Sequence, residues 1–245
     1  MTDITSKNQY FFDFGRDFDA RLDNFFFTQK NKIIESEIAQ FVASDEKQEI
    51  FIYGDNSSGK TFLLNSILNA TPDKLKSGIY IDLGNMISDK RIFDHLTEQS
   101  LICLDNIDQC NEDLQLSIFN LINETKYSDT KLIITSKKHI SEVVVFADLK
   151  SRLQHMKFFT LHMIADDEVI HVLEFISKKL DLNLNYEIFN FLATRVKRDF
   201  SHMKNFLIDF DKFLYAEKKQ PSKKTVASFL KNFQNTVIAY GLSLC

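Results

Sequence analysis

The sequence predicts an α/β fold, in which helices flank a parallel sheet, followed by a small all-α domain. Short apolar runs alternate with segments of helical periodicity through residues 50–162, and this alternation is typical of parallel sheets covered by helices. From about Asp166 onward the apolar residues follow helical spacing alone. We therefore expect a tail over residues 1–20, an α/β domain over 21–163 and a helical domain over 164–245.

Strands are expected where apolar and β-branched residues run without interruption, and helices where apolar residues recur every third or fourth position. The predicted strands cover residues 50–53, 79–83, 101–105, 131–136 and 157–162. The predicted helices cover residues 31–42, 62–68, 87–96, 112–123, 167–180, 186–196, 200–218 and 224–233, with a short helix or turn over 148–153. The helix over 112–123 should turn Leu116, Phe119 and Leu121 towards the core. Ser222 or Thr225 should cap the last helix.

The overall composition argues against several classes of protein. The formal net charge of −4 gives no global electrostatic case for a nucleic-acid binder. The 3 cysteines form no CxxC pair, which favours a reducing compartment without a disulfide framework. No apolar run approaches the roughly 18–20 residues of a membrane helix, and the N-terminus lacks the apolar core of a secretion signal. We expect a cytoplasmic protein with no membrane partner.

One stretch carries the clearest chemical signal. Residues 54–61 read GDNSSGKT, which matches the G-x-x-x-x-G-K-[ST] pattern of a phosphate-binding loop and lies between a predicted strand and a predicted helix. Glycines let such a loop curl so that its N–H groups face an anion, and the following helix adds its positive end. The lysine then reaches the β- and γ-phosphates, and the threonine hydroxyl binds Mg²⁺. The expected nucleotide contacts are Gly54, Asn56, Ser57, Ser58, Gly59, Lys60, Thr61 and Phe62.

A second phosphate-site element is expected where a buried strand ends in a carboxylate. Asp105 closes the run LICLD and can hold Mg²⁺ opposite Thr61. The next residue is Asn106, and because an amide cannot take a proton from water, we expect at most weak intrinsic ATPase activity. Asp108 is an alternative base. Ser136 ends another buried run and could bind a γ-phosphate or the attacking water, or could simply end its strand.

Six stretches together carry a resemblance to a known family. They are LDNFFFTQKN, GDNSSGKT, LICLDNID, LIITSKK, DLKSRL and RVKRDFSHMKNFL. In this combination the sequence resembles the bacterial DnaA/Hda family of AAA+ P-loop proteins over nearly its whole length. The resemblance implies an AAA+ nucleotide-binding domain followed by a helical lid domain, with ADP or ATP and Mg²⁺ as cofactors.

The resemblance implies roles for residues that spacing alone would not select. Arg152 corresponds to the family's arginine finger, which reaches into the nucleotide site of a neighbouring subunit. Arg198 corresponds to the lid arginine that contacts bound nucleotide. LDNFFFTQKN occupies the adenine side of the site in this family, so Asn24, Phe25 and Asn31 are candidates for the base pocket.

The sequence departs from the family's replication initiator at three places. KK follows Ser136, the position called sensor 1, where the initiator has Asp-Arg. QHM follows the finger in place of an aromatic-Gly pair. Asn106 matches the Hda-like pattern LDNI better than the Asp-Asp of the initiator. The chain also ends soon after its last predicted helix, where the initiator continues into a DNA-binding domain, so we expect no sequence-specific DNA binding.

The Hda-like branch of the family regulates replication initiation. Its members bind the DNA-loaded sliding clamp, the β subunit of DNA polymerase III, and make the initiator DnaA hydrolyse its ATP, which prevents re-initiation. The resemblance therefore implies DnaA and the clamp as partners, and a homo-oligomer. A self-sufficient AAA+ ATPase that acts as a loader or remodeller, and an adaptor in which nucleotide is only a structural plug, are the alternatives.

Members of this branch dock on the clamp through a Gln-containing hydrophobic peptide near the N-terminus. Here Gln9, Phe11, Phe12 and Phe14 form the candidate peptide, whose aromatic side chains could fill a pocket on the clamp. The same aromatic side chains could equally pack on the protein's own core.

Overall fold

The computed structural model describes residues 16–71, 78–85 and 90–239, without the side chains of residues 90–91 and 232–239. Within these residues the chain forms two compact units. The first comprises residues 16–25, Ile34–Gly54 and Lys60–Leu161, and the second comprises Phe26–Ile33, Asp55–Gly59 and residues 162–239.

The first unit contains a parallel sheet of five strands. These are β1 (Glu49–Tyr53), β2 (Gly78–Asp82), β3 (Leu101–Asp105), β4 (Lys131–Ser136) and β5 (Lys157–Thr160), in the spatial order β2-β3-β4-β1-β5. All neighbouring strands pair in parallel, so their carboxyl ends meet at one edge of the sheet. In open α/β sheets, ligands bind outside this edge. The predicted α/β fold is confirmed.

Helix α1 (Lys32–Ala43) precedes β1, α2 (Lys60–Ala70) follows it, and α3 (Glu112–Thr125) and α4 (Ala147–Gln154) precede β4 and β5. The central strands β3 and β4 are covered on both faces, since every residue of the two is buried. The core of this unit contains Phe51, Ile102, Leu104, Ile118 and Ile134. A rigid sheet of this kind fixes the positions of the side chains at its carboxyl edge.

The second unit contains α5 (Val169–Lys179), α6 (Tyr186–Ala193), α7 (Phe200–Glu217) and α8 (Lys223–Ala239). Aromatic side chains fill much of its core: the Phe206 and Phe229 rings lie 5.3 Å apart between centroids, and Phe210 and Phe229 lie 5.5 Å apart. Ser222 caps α8, since its hydroxyl accepts the N–H of Thr225 at 3.2 Å. None of the described helices is long and apolar enough to cross a membrane.

Two sequence predictions of local structure are wrong. The continuous helix expected to end at residue 96 is replaced over its described part by 3₁₀ turns at Lys90–Phe93 and Leu96–Glu98, interrupted by His95 at a φ of 64°. Leu116 is 59% exposed rather than part of the core. It lies two positions after the buried Leu114, and two helical steps of about 100° carry a side chain to the opposite face.

Candidate nucleotide-binding site

The segment between β1 and α2 has the backbone that a phosphate-binding loop needs. Ser57 and Gly59 adopt positive φ angles of 62° and 94°, in the left-handed region that lets a loop curl tightly. At the start of the loop, the N–H of Gly54 donates to the carbonyl of Ser136 at 3.1 Å. Because α2 begins at Lys60, its first N–H groups, which have no carbonyl partners inside a helix, adjoin the loop and favour an anion there.

Lys60, the first residue of α2, reaches back to the first residue of the GDNSSGKT motif. Its side chain is buried, and Nζ donates to the carbonyl oxygen of Gly54 at 2.6 Å. A bound phosphate offers the same ammonium a charged acceptor in place of a neutral carbonyl, and such charge-assisted hydrogen bonds are the stronger ones. The predicted contacts Asn56 and Ser57 are exposed in the loop, and Ser58 is buried.

Asp105 is the centre of a hydrogen-bonded cluster at the carboxyl edge of the sheet. Its side chain is fully buried. One carboxylate oxygen, Oδ2, accepts the hydroxyl of Thr61 at 2.6 Å and that of Tyr80 at 2.9 Å. The other, Oδ1, accepts the N–H of Asn106 at 3.1 Å and the hydroxyl of Thr135. Four donors therefore hold one carboxylate beside the first turn of α2.

The Thr61 and Asp105 oxygens fit a magnesium ion. Mg²⁺ prefers hard oxygen ligands at about 2.0–2.1 Å, which places adjacent ligands about 2.9 Å apart. The 2.6 Å between Thr61 Oγ1 and Asp105 Oδ2 needs to widen only slightly. No group of three or more His, Cys, Asp or Glu in the described residues could hold a metal ion alone. Mg²⁺ at this point would thus depend on phosphate and water oxygens for its other ligands, as it usually does at nucleotide sites.

The same cluster changes the acidity of a neighbouring phenol. Burial raises the pKa of Tyr80 far above its usual range, and the charge of Asp105 together with the hydrogen bond to it raises the pKa further. Tyr80 therefore stays protonated and acts as a permanent donor to Asp105. The hydrogen bond through which Tyr80 orients the Asp105 carboxylate is therefore independent of pH in the physiological range.

The two residues considered as bases or water ligands are held by other partners. Ser136 is buried, and the single proton of its hydroxyl has two acceptors within reach, the carbonyl of Lys138 at 2.7 Å and the Asp108 carboxylate at 3.2 Å. The same Asp108 oxygen accepts the N–H of Lys137 at 2.9 Å. The sensor role of Ser136 and the alternative base Asp108 stay predictions.

The predicted finger, Arg152, lies in the last turn of α4. It is half-buried, and the centre of its guanidinium lies 6.0 Å from the centroid of the Phe119 ring on α3. This distance is at the outer limit of a cation–π contact. Among the described residues, the guanidinium thus packs on an aromatic ring rather than on a carboxylate.

The remaining predicted nucleotide contacts have defined partners within their own units. The Asn31 amide is buried and bridges the His162 backbone, donating to its carbonyl at 2.8 Å and accepting its N–H at 2.9 Å. Arg198 is exposed and forms an ion pair with Asp166 at 2.5 Å. Phe62 stacks on Phe25, with ring centroids 6.2 Å apart. The nucleotide roles of these residues stay predictions.

Three residues beside Asp105 were not predicted as site residues from the sequence: Tyr80 and Thr135, which donate to its carboxylate, and Asp82, which pairs with it across β2 and β3. The β4 strand pairs with β3 so that Ile134 lies opposite Leu104, which brings Thr135, and not Ser136, beside Asp105. The signal that could have found Thr135 is its hydroxyl, one residue before the end of a buried strand. The predicted clamp peptide, Gln9 with the phenylalanines at 11, 12 and 14, lies outside the described residues.

The chain is similar to proteins of several kinds. A family model described as RNA helicase matches residues 50–148. An "Uncharacterized protein" of Haemophilus influenzae is 34% identical over 187 residues, which are 74% of this chain and 80% of that protein. Domain III of the Thermotoga maritima replication initiation protein DnaA has a TM-score of 0.72 at 19% identity, over 88% of this chain and 97% of that one. AMPPCP-bound DnaA from Aquifex aeolicus has a TM-score of 0.69 at 16% identity, over 89% of this chain and 71% of that one. These likenesses show an AAA+ P-loop fold.

Proposed function

The chain belongs to the same family as the Haemophilus influenzae protein and has the AAA+ fold of DnaA, and from this premise we propose that it is an Hda-like regulator of replication initiation. It binds ADP or ATP with Mg²⁺ and, together with the DNA-loaded sliding clamp, stimulates ATP hydrolysis by DnaA. The observation that carries the proposal is the Thr61 hydroxyl, 2.6 Å from the buried Asp105 carboxylate and directly after a phosphate-binding loop.

The nucleotide would be held by its phosphates. The N–H groups of the loop and of the first turn of α2 bind the phosphate oxygens, and Lys60 exchanges the Gly54 carbonyl for a phosphate oxygen. Thr61 and Asp105 would hold Mg²⁺, which neutralises phosphate charge when bound. Tyr80 and Thr135 keep the Asp105 carboxylate oriented through their hydrogen bonds.

Arg152 would act on the nucleotide of DnaA rather than on the protein's own. Its position at the end of a short helix, with its guanidinium against a ring and no described carboxylate neutralising it, leaves the positive charge available to an anionic partner. In the transition state of phosphoryl transfer, charge develops on the phosphoryl oxygens, and a guanidinium supplied by another protein stabilises it.

The decisive experiment follows phosphate release from ATP-loaded DnaA in the presence of DNA-loaded clamp and this protein. Arg152→Ala should keep ADP binding and clamp binding but lose the stimulation, since fingers of this kind contribute roughly 10³–10⁵-fold in GTPase systems. Arg195→Ala is the matched control, because Arg195 also packs on a phenylalanine ring, with 3.9 Å from its guanidinium centre to the Phe191 centroid. If Arg152→Ala still stimulates ATP hydrolysis by DnaA as the wild type does, Arg152 is not an arginine finger.

The same assay separates the alternative functions. An adaptor with nucleotide as a structural plug predicts that Arg152→Ala stimulates normally, whereas replacing Phe11 and Phe12 abolishes capture of the partner. A self-sufficient ATPase predicts rapid ATP turnover by the isolated protein and its loss in Lys60→Ala. Asn106, an amide directly after Asp105, argues against this alternative.

A further inference from the structure

Asp82 and Asn106 form a hydrogen-bonded pair that none of the contacts above uses. Asn106 Nδ2 donates to Asp82 Oδ1 at 2.8 Å. The Asp82 carboxylate also accepts the N–H of Gly84 at 3.0 Å and the side-chain amide of Asn85 at 2.6 Å. Asp82 ends β2 directly opposite Asp105 of β3, so the pair adjoins the proposed magnesium site.

The position of Asn106 is set by its backbone as well as by its side chain. Its φ and ψ of 60° and 47° lie in the left-handed region, which asparagine tolerates better than most residues. Its N–H donates to Asp105 at 3.1 Å and to the Thr135 hydroxyl at 3.2 Å. Hydrogen bonds thus hold both the backbone N–H and the side-chain amide of Asn106, and the amide donates to Asp82.

The charge of Asp82 restricts which residue can function at position 106. A carboxylate there would lie at hydrogen-bond distance from the Asp82 carboxylate with no proton donor between them, and like charges that close repel each other. The two groups would separate and break the hydrogen bonds around Asp82. An amide at position 106 avoids this conflict because it donates to Asp82 instead.

We propose that Asp82 is a positioning residue that accepts a hydrogen bond from position 106 and so excludes from that position the carboxylate that could act as the base for this chain's own nucleotide hydrolysis. The pair has the carboxylate at the end of β2 and the amide directly after β3. When the two are exchanged, an ionised carboxylate stands at position 106, directly after Asp105. It can then take the proton of a water whose oxygen bonds to the γ-phosphorus, while the bond from that phosphorus to the bridging oxygen breaks and ADP leaves. This inference rests on the proposed nucleotide binding.

The test compares Asp82→Asn, Asn106→Asp and the double exchange Asp82→Asn/Asn106→Asp for ATP hydrolysis with Mg²⁺ and no partner protein. Because general-base catalysis contributes about 10²–10⁴-fold, the exchange should hydrolyse ATP at least about tenfold faster than the wild type. Each single variant should stay near the wild-type rate, since Asp82→Asn supplies no base and Asn106→Asp places its carboxylate against Asp82. Hydrolysis by Asn106→Asp alone at the rate of the exchange would overturn the inference. So would an exchange variant that binds nucleotide but hydrolyses no faster than the wild type.

Thermal unfolding without nucleotide or metal provides a second readout. Asn106→Asp should lower the melting temperature by at least about 2 °C, which corresponds to about 1 kcal/mol in a chain of this size. The exchange should recover part of it, because the hydrogen bond to position 106 is re-formed with donor and acceptor reversed, while the Gly84 N–H, which donates to the same Asp82 oxygen, loses its acceptor. Equal melting temperatures for Asn106→Asp and the wild type, or no recovery in the exchange, would contradict the coupling.

Asn85 provides a matched control, since its amide donates to the same carboxylate from outside position 106. Asn85→Asp should lower the melting temperature, and Asp82→Asn/Asn85→Asp should recover it without any gain in hydrolysis. A gain there would mean that removing Asp82, rather than placing a base at position 106, releases the activity, and the inference would fail.

Titration with a fluorescent ADP analogue separates the two proposals. If the wild type does not bind the analogue, the proposed function fails and this inference fails with it. If the wild type binds the analogue but the double-exchange variant hydrolyses ATP no faster than the wild type, only the inference fails.

Discussion

Replacing Asp105 tests the candidate site most directly. Its buried carboxylate accepts hydrogen bonds from Thr61 at 2.6 Å, Tyr80 at 2.9 Å, the N–H of Asn106 at 3.1 Å, and Thr135. Two replacements remove the charge in different ways. Asp105→Asn keeps the shape and one acceptor oxygen, whereas Asp105→Ala removes every acceptor.

The difference between the two variants follows from the donors around them. The Asn106 N–H cannot turn away, so the amide oxygen of Asp105→Asn should face it, while the hydroxyls can rotate to accept from the amide NH₂. Tyr80 and Thr135 are buried residues, 3% and 0% exposed, and in Asp105→Ala their hydroxyl protons lose the acceptor. An unsatisfied buried polar group costs about 1–3 kcal/mol. With two such groups, Asp105→Ala should be less stable than Asp105→Asn by roughly 2–6 kcal/mol.

Urea unfolding of the nucleotide-free protein, followed by circular dichroism, measures this difference. Titration with ADP in Mg²⁺ and in EDTA measures the metal role: Asp105→Asn should weaken ADP binding in Mg²⁺ but not in EDTA. Equal unfolding free energies for the two variants would refute the role of Asp105 as the shared acceptor. If Mg²⁺ strengthens ADP binding as much in Asp105→Asn as in the wild type, Asp105 is not a metal ligand.

Three further predictions concern the loop and the cluster. A hydrogen bond to a charged group contributes about 1.5–3 kcal/mol, so Lys60→Ala should weaken ADP binding at least tenfold in a fluorescence titration, whereas Lys212→Ala should not. Gly59→Ala, at a φ of 94°, should lower the unfolding free energy measured in urea by about 1–2 kcal/mol, because a side chain strains the left-handed region. Burial and the Asp105 charge raise the pKa of Tyr80 in the folded chain. Above about pH 10 the unfolded chain therefore releases a proton that the folded chain keeps. Because of this difference, the free energy of unfolding falls as the pH rises. Tyr80→Phe should lose less stability than the wild type over that range in alkaline urea titrations, and an equal loss would contradict the assignment.

Local sequence signals were sufficient for the parallel sheet and for the loop. Uninterrupted apolar runs identified the strands because both faces of this sheet are covered, and the loop pattern was recognisable because it requires particular residues at fixed spacing. Asp105 could be selected because it ends such a run. Each of these features depends on neighbours in the sequence.

The partners of Asp105 could not be predicted, because they depend on strand register. Tyr80 and Thr135 lie 25 and 30 residues from Asp105 in the chain, and a shift of one residue in pairing would turn either side chain to the other face of the sheet. The exposure of Leu116 has a related origin: periodicity showed a helix but not which stripe of α3 faces the core. Long-range pairing decided both outcomes.

Asn106 shows how a partner changes the meaning of a single residue. In the sequence it indicates only that a proton acceptor is missing. In the structure it donates to Asp82, 24 positions earlier in the chain, so the missing base and the additional carboxylate are two parts of one arrangement. With Thr61 and Asp105 as the proposed magnesium ligands, and the additional carboxylate bonded to Asn106 at the end of β2, the proposed site would retain a nucleotide rather than consume it. Retention is what a protein needs if its arginine is to act on the nucleotide of another molecule, because the bound state then persists while the partner turns over.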